Sequence, residues 1–269
     1  MKVKIADHGG AIQWGGVYFF GLSDYPNISP WELHKLARFA QYERAHGREP
    51  KLKCGHRGIR RTAKAALQKP DLVPEAMPSA KITECTACKQ GGCLTDLLCH
   101  GSSAEDAKAI FACGELRSAA LARGLPRELL AKEPRNAAGD PLDYFDYVMF
   151  AWGNCQAADS LVMERQLGRF PTQEEFDRPF TRSVRFYFRY NPLIAHPGFV
   201  FDGYHAAKIR DTLDLQMHLA ACIVPGSLWD ELSFSIPEAL RPRVHCLAEE
   251  GESMLDWSEK CYNYVQEVL

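Results

Sequence analysis

The chain has 269 residues, 46% of them hydrophobic and 25% charged, with a formal net charge of −2. That length suits one large domain or a domain with an appendage, and the apolar share is enough for a sizeable core. The balanced charge excludes a global pull toward nucleic acid or membrane, and no apolar run approaches the roughly 18 residues of a membrane span.

The amino terminus runs from Met1-Lys2-Val3-Lys4 to Asp7 and His8 without a long apolar stretch, so no secretory signal is expected. The ten cysteines are not spaced like those of a small secreted scaffold. Cys99, Cys155, Cys222 and Cys246 lie in apolar runs and read as reduced, mostly buried thiols, which points to the cytoplasm.

Gly15 to Gly21 reads as a short aromatic strand bracketed by glycines. A helix is announced at Ile28-Ser29-Pro30-Trp31-Glu32-Leu33: Ser29 as N-cap, Pro30 in the first position, Glu32 closing a capping box, and Ile28 with Leu33 as a hydrophobic staple. His46-Gly47 is its expected end. A basic helix follows Cys54-Gly55-His56, with Arg57, Arg60, Arg61 and Lys64 around Ile59, Ala63 and Leu67. Three prolines mark residues 69–80 as a loop.

From about residue 94 strands and helices alternate. Leu94 to Cys99 reads as a strand, and Ser102-Ser103-Ala104-Glu105 as a capping box opening a helix that ends at Gly114. Residues 124–143 read as a long loop of the kind that is often functional. Phe145 to Trp152 is an apolar strand, and Asn154 is placed to cap the helix after it. Val184 to Tyr190 alternates, with Val184, Phe186, Phe188 and Tyr190 on one face and Arg185, Tyr187 and Arg189 on the other. Leu219 to Val224 and Arg243 to Leu247 are further strands, and Met254 to Val268 has helical spacing. The class is α+β, divided into a helical amino-terminal subdomain, 1–93, and an α+β domain, 94–269.

Cys54, His56, Cys85 and Cys88 have the spacing of a structural zinc site. Cys-x-His and Cys-x-x-Cys each turn the chain around a metal, and 28 residues between the halves can close a small subdomain. The surrounding Lys51, Lys53, Lys81 and Lys89 argue against a set of merely buried thiols. Cys93 competes as fourth ligand in place of His56. Four protein ligands leave no vacant position, so the metal would be structural. The nearby arginines also fit a nucleic-acid contact or a solvated basic face.

Leu97-Leu98-Cys99-His100-Gly101, followed by a capped helix and Gly114-Glu115-Leu116-Arg117-Ser118-Ala119, resembles the first element of NAD-dependent ADP-ribosyltransferases. Val184-Arg185-Phe186-Tyr187-Phe188, the Phe201-Asp202-Gly203-Tyr204-His205-Ala206 loop, and Leu219 to Pro225 with Ile236-Pro237 and Val244 look like elements of the DarT-type DNA-modifying toxins. The resemblance covers residues 94–247. It implies an ADP-ribosyltransferase-like split-sheet core with NAD as substrate and a cytoplasmic, toxin-like enzyme. It places His100 and Gly101 at the dinucleotide, with Arg117 as a further cofactor-binding candidate. Tyr187 and Arg189, on the face opposite the apolar one, fit stacking on nicotinamide and a pyrophosphate clamp, or simply the strand's solvent face. His100, Tyr187 and Asp202 are the catalytic candidates.

One departure is plain in the sequence. Those toxins carry a catalytic glutamate at the start of the late strand, where this chain has Ala221. Glu115, Glu164 and Asp202 are the substitutes, with Asp202 preferred because Asp-Gly loops expose the side chain; its turn-forming role is the competing account. His196, Tyr204 and His205 add titratable groups beside Asp202. The acceptor is expected to be nucleic acid, protein or a small molecule. The alternative is a non-catalytic, zinc-containing module that binds nucleic acid or protein. A metal-dependent hydrolase using His196, Asp202 and His205 is the third reading. No phosphate-loop, nucleophile-elbow or Gly-x-Gly-x-x-Gly pattern is present.

Overall fold

A computed structural model of the chain describes residues 1–6, 16–22, 24–76, 97–132, 140–154, 159, 163, 167, 169, 172–176, 178 and 180–269. Its contacts fall into two units. The first comprises Met1–Thr95, Ala137–Asp140 and Phe201–Ala206; the second comprises Asp96–Asn136, Pro141–Val200 and Ala207–Leu269. Two short pieces of the later chain therefore belong with the amino-terminal unit, which the expected division at 93/94 did not include.

In the first unit, β1 (Lys2–Ile5), β2 (Val17–Phe19) and β3 (Lys51–Cys54) form a parallel sheet in the order β2-β1-β3. Helix α1 (Pro30–Ala45) connects β2 to β3, and helix α2 (Arg57–Gln68) follows β3. Parallel strands require such crossovers, and a helix is the usual one. The start of α1 is as expected: Ser29 N donates to Glu32 Oε2 at 2.7 Å and Glu32 N donates to Ser29 Oγ at 3.2 Å. The helix ends at His46 and a left-handed Gly47, φ +72. Leu36, Phe39 and Ala40 are buried, and Phe39 meets the Tyr18 ring at 5.3 Å and the Phe20 ring at 6.1 Å.

The expected helical subdomain thus also carries a sheet. Strands β1 and β3 read Lys-Val-Lys-Ile and Lys-Leu-Lys-Cys, four residues each with lysine in half the places. Lysine is a poor strand former, so the pattern is weak until pairing supplies the rest. Val3, Ile5 and Cys54 turn into the core, while Lys2, Lys51 and Lys53 are exposed.

The second unit is built on a seven-stranded sheet in the order β12-β11-β7-β4-β6-β9-β8. Its strands are β4 (Leu97–Ser102), β6 (Tyr147–Trp152), β7 (Val184–Arg189), β8 (Phe199–Val200), β9 (Ala207–Arg210), β11 (Leu219–Pro225) and β12 (Val244–Leu247). Only β11 and β12 run parallel; the remaining neighbours are antiparallel. A separate antiparallel pair joins β5 (Glu115–Arg117) to β10 (Thr212–Asp214). Helices α3 (Ala104–Cys113), α4 (Gly226–Leu232) and α5 (Met254–Val268) belong to this unit. The class is α+β, as the alternation of elements indicated.

The alternation along β7 does not produce a solvent face. All of Val184 to Phe188 is buried, and only Arg189 is exposed. Both faces of the strand are covered: Phe111 of α3 lies 5.4 Å from the Phe186 ring on one side, and Ser258 of α5 meets Arg185 on the other. Arg185 is fully buried because Asp159, also fully buried, neutralises it. Asp159 Oδ2 accepts from Arg185 Nε at 3.0 Å and from Nη2, and Oδ1 accepts from Ser183 N at 3.1 Å and Ser183 Oγ at 2.5 Å. Burial alone would lower the Arg185 pKa, but the adjacent carboxylate outweighs it and holds the guanidinium charged. Most of the helix expected after Asn154 lies outside the described residues; Asp159, Met163 and Leu167 within it are helical. No helix among the described residues is long and apolar enough to cross a membrane.

Candidate functional site

His100 stands where the large sheet divides. Strand β4 pairs with β7 along its whole length, from Leu97 opposite Arg189 to Ser102 opposite Val184. With β6 it keeps only Leu98 opposite Trp152 and Cys99 opposite Ala151. Past Cys99 the backbone ladder stops, and the His100 ring fills its place: Nδ1 lies 3.0 Å from the Met149 carbonyl of β6. A carbonyl only accepts, so Nδ1 carries the proton and, in the neutral ring, Nε2 is the acceptor nitrogen. The ring meets Phe150 edge-on at 6.0 Å. Leu97, Leu98 and Cys99 are buried, whereas His100 and Gly101 are half-buried.

Helix α3 opens directly after this strand. Its cap is Ser103, whose Oγ accepts from Asp106 N at 3.1 Å, one residue later than the Ser102–Glu105 box expected from sequence. Gly114, φ +73, closes the helix and delivers β5. Arg117 on β5 is exposed and bonded to Glu115, Nε to Oε2 at 3.1 Å. Glu115 is therefore tied to Arg117, and Glu164 lies outside the described residues.

Tyr187 is 0% exposed and its hydroxyl accepts from Arg185 Nη1 at 3.4 Å. Burial pushes its phenol well above the ordinary value. The face of β7 that carries Arg185 and Tyr187 is covered by α5 rather than open to solvent. Arg189 is exposed at the strand end, with Nη2 3.5 Å from the Leu269 carbonyl. Ala221, at the position expected for the late-strand glutamate, is fully buried opposite Tyr187.

Asp202 is not the exposed carboxylate that its Asp-Gly loop suggested. It is fully buried and belongs to the first unit, whereas His100 belongs to the second. Asp202 Oδ1 accepts from Tyr204 N and His205 N, both at 2.9 Å, and Oδ2 accepts from His205 Nδ1 at 2.7 Å. The turn-forming account is the one its bonds describe. Gly203, φ +75, makes the loop possible: a Cβ there would stand 2.1 Å from Lys35 O and 2.5 Å from Phe39 N of α1. Tyr204 and His205 stay with Asp202, their rings 5.1 Å apart edge to face. His196 instead belongs to the second unit and meets His218 at 5.4 Å. Burial first, and His196 second, hold the His218 pKa below its ordinary value.

Lys208 gave no signal in the sequence, where it is one lysine in a short strand. It is fully buried, with Nζ 3.9 Å from the Tyr144 ring centre and 4.3 Å from that of Tyr147. The faces of two rings replace part of the water that the ammonium loses. Its neighbour across the β6–β9 ladder is Met149, whose carbonyl holds His100.

Of the expected zinc ligands, Cys54 and His56 are described, while Cys85, Cys88 and the competing Cys93 lie outside the described residues. His56 caps α2: its Nδ1 accepts from Ile59 N at 3.3 Å. A neutral ring that accepts at Nδ1 carries its proton on Nε2, which then has no lone pair for a metal. His56 in this state does not fit zinc. Cys54 is a buried thiol whose Sγ donates to the His56 carbonyl at 3.6 Å. Among the described residues no group of three or more His, Cys, Asp or Glu side chains is placed to hold a metal. Comparison of the chain with family models, with curated proteins and with solved structures gave no match.

Proposed function

We propose that the chain is an NAD-dependent mono-ADP-ribosyltransferase-like protein of a reducing cytoplasm, with an ADP-ribosyltransferase-like core centred on His100. The observation that carries this reading is the half-buried imidazole at the sheet division, fixed at Nδ1 by the Met149 carbonyl. Fixing one nitrogen sets the tautomer and the plane of the ring, so Nε2 can accept a hydrogen bond from a ribose hydroxyl without a further ordering cost. The capped α3 that follows Gly101 gives this strand a rigid base. The six described cysteines are free thiols, in keeping with a reducing compartment.

In the proposed reaction an acceptor attacks the anomeric carbon of the nicotinamide ribose. The glycosidic C–N bond breaks, nicotinamide leaves with the electron pair, and the acceptor loses its proton to water. The role of His100 is to hold the ribose. No role at the ligand is assigned to Tyr187 or Asp202, given their burial and bonds. The buried Ala221 favours a second reading, a non-catalytic zinc-containing module that binds nucleic acid or protein, because no carboxylate stands on that strand to stabilise the cationic centre.

Saturating NAD should raise the thermal midpoint of the chain, by the equivalent of about 2.7 kcal/mol at a hundredfold excess over Kd. His100→Ala should abolish that shift, and His100→Gln, which keeps an acceptor, should restore part of it. Nicotinamide release, followed by chromatography, should accompany binding and fall at least about 100-fold in His100→Ala, the size of a lost catalytic contact. Absence of any shift with millimolar NAD counts against the transferase reading, and salt-sensitive binding of an oligonucleotide in its place selects the binding module. A shift without nicotinamide release refutes transfer but not NAD binding.

A structural zinc is retained in this proposal through Cys54, Cys85 and Cys88, with Cys93 in the place first given to His56. Metal analysis of purified protein distinguishes the sets. His56→Ala should keep about one zinc per chain, whereas Cys54→Ser should lose it. Loss of zinc from His56→Ala alone would return histidine to the ligand set.

A further inference from the structure

The net charge of −2 conceals a division between the two units. The first holds fifteen lysines and arginines against ten aspartates and glutamates, and the second holds seventeen against twenty-four. An excess of positive charge confined to one unit is the electrostatic footprint of a polyanion surface. Helix α2 concentrates it. Arg57, Arg60, Arg61 and Lys64 recur at i, i+3, i+4 and i+7, and all four are exposed. The opposite face, Ile59, Ala63, Ala66 and Leu67, is buried.

This arrangement is electrostatically unfavourable in the free protein. Three arginines occupy the amino-terminal half of the helix, where the macrodipole is positive, and no acidic residue lies in the first turn. Like charges four residues apart repel, as Arg57 with Arg61 and Arg60 with Lys64 do. None of the four forms an ion pair with a described residue. The surface carries a concentrated charge that the described residues do not offset, and a bound anion would offset it.

We propose that the exposed face of α2 docks the phosphate backbone of a nucleic-acid duplex. The four side chains span about 10 Å along the helix, a straight row that matches a rigid line of phosphates. Three of them are arginines, whose planar forks bind phosphate by paired hydrogen bonds. The helix carries no aromatic residue, so it supplies no stacking platform for unpaired bases, which separates a duplex from a single strand. Its apolar face is already buried within the unit, so none remains to enter a lipid surface. The surface lies entirely on the first unit and does not rest on the NAD reading.

The test uses the full chain and a fluorescent 20-base-pair DNA duplex, with fluorescence anisotropy between 50 and 200 mM salt. Four neutralised phosphates predict that the slope of log K on log salt is steeper by about 3.6 in the parent chain than in a variant with all four residues changed to Gln. The Gln variant should also bind at least tenfold more weakly at 50 mM salt. Arg60→Lys with Arg61→Lys keeps the charge and should keep the slope. A control changing Lys2, Lys51 and Lys53 to Gln, on the open face of the amino-terminal sheet, should bind within about twofold of the parent. Circular dichroism melts establish that each variant is folded, since Gln is nearly as good a helix former as Arg. Equal binding by parent and helix variant, loss of binding only in the sheet variant, tighter binding of a single strand than of the duplex, or preference for phosphatidylserine vesicles or polyglutamate would each overturn the proposal.

Discussion

Asp159→Leu destabilises the second unit by about 3–5 kcal/mol, the cost of leaving a buried charge without its partner. Arg185 keeps hydrogen bonds to Ser258 Oγ and the Tyr187 hydroxyl in that variant, but neither group is an anion. Ser183 also loses the acceptor of both its backbone N–H and its hydroxyl, in a place with no exposure. The double variant Asp159→Leu with Arg185→Met should recover most of the loss, because an apolar pair of similar volume does not require the desolvation of two charges. Urea denaturation of parent, single and double variants measures this. A single-variant cost below about 1 kcal/mol would place the ion pair in contact with water and refute the buried network.

Gly203→Ala is the second large effect. The left-handed backbone alone costs an alanine about 1 kcal/mol. The added methyl would also stand well inside contact distance of two backbone atoms of α1, which cannot swing aside as a side chain would. The loop must then lift from the helix, and Asp202 loses the turn that buries it. A total of about 3 kcal/mol or more is expected for the first unit. Gly47→Ala is the matched control: its φ is +72, but nothing lies within 4 Å of the added Cβ. It should cost only about 1 kcal/mol. Equal losses in the two variants would mean that the close approach of loop and helix contributes nothing.

The contrast between α1 and β7 shows how far the sequence could be read. The start of α1 depends on Ser29, Pro30 and Glu32, neighbours whose bonds close within one turn, so local chemistry determines it. The same holds for the left-handed glycines that end α1 and α3. In β7 the alternation Val-Arg-Phe-Tyr-Phe-Arg is equally clear, yet it says only that two faces differ. It does not say that the polar one is wet. Arg185 is buried by a carboxylate 26 residues away in sequence and a serine 73 residues away, and no local pattern contains either.

His100, Asp202 and His56 differ for the same reason. The strand, the glycine and the capped helix around His100 were legible, and so was an Asp-Gly turn at 202. The carbonyl that fixes the His100 ring comes from a strand 49 residues away, and the glycine that buries Asp202 is required by a helix more than 160 residues earlier. His56 was legible as a ligand type, but its use as a helix cap depends on where α2 begins. What the sequence determined by itself is what short-range geometry decides: the capping box of α1, the glycine ends of α1 and α3, the amphipathic α2 with its row of basic residues, and the α+β class. Tertiary structure alone decided which polar groups are buried, which histidine meets which partner, and where the large sheet divides. Those outcomes depend on desolvation and on contacts between distant segments, and neither quantity is written in the order of neighbouring residues.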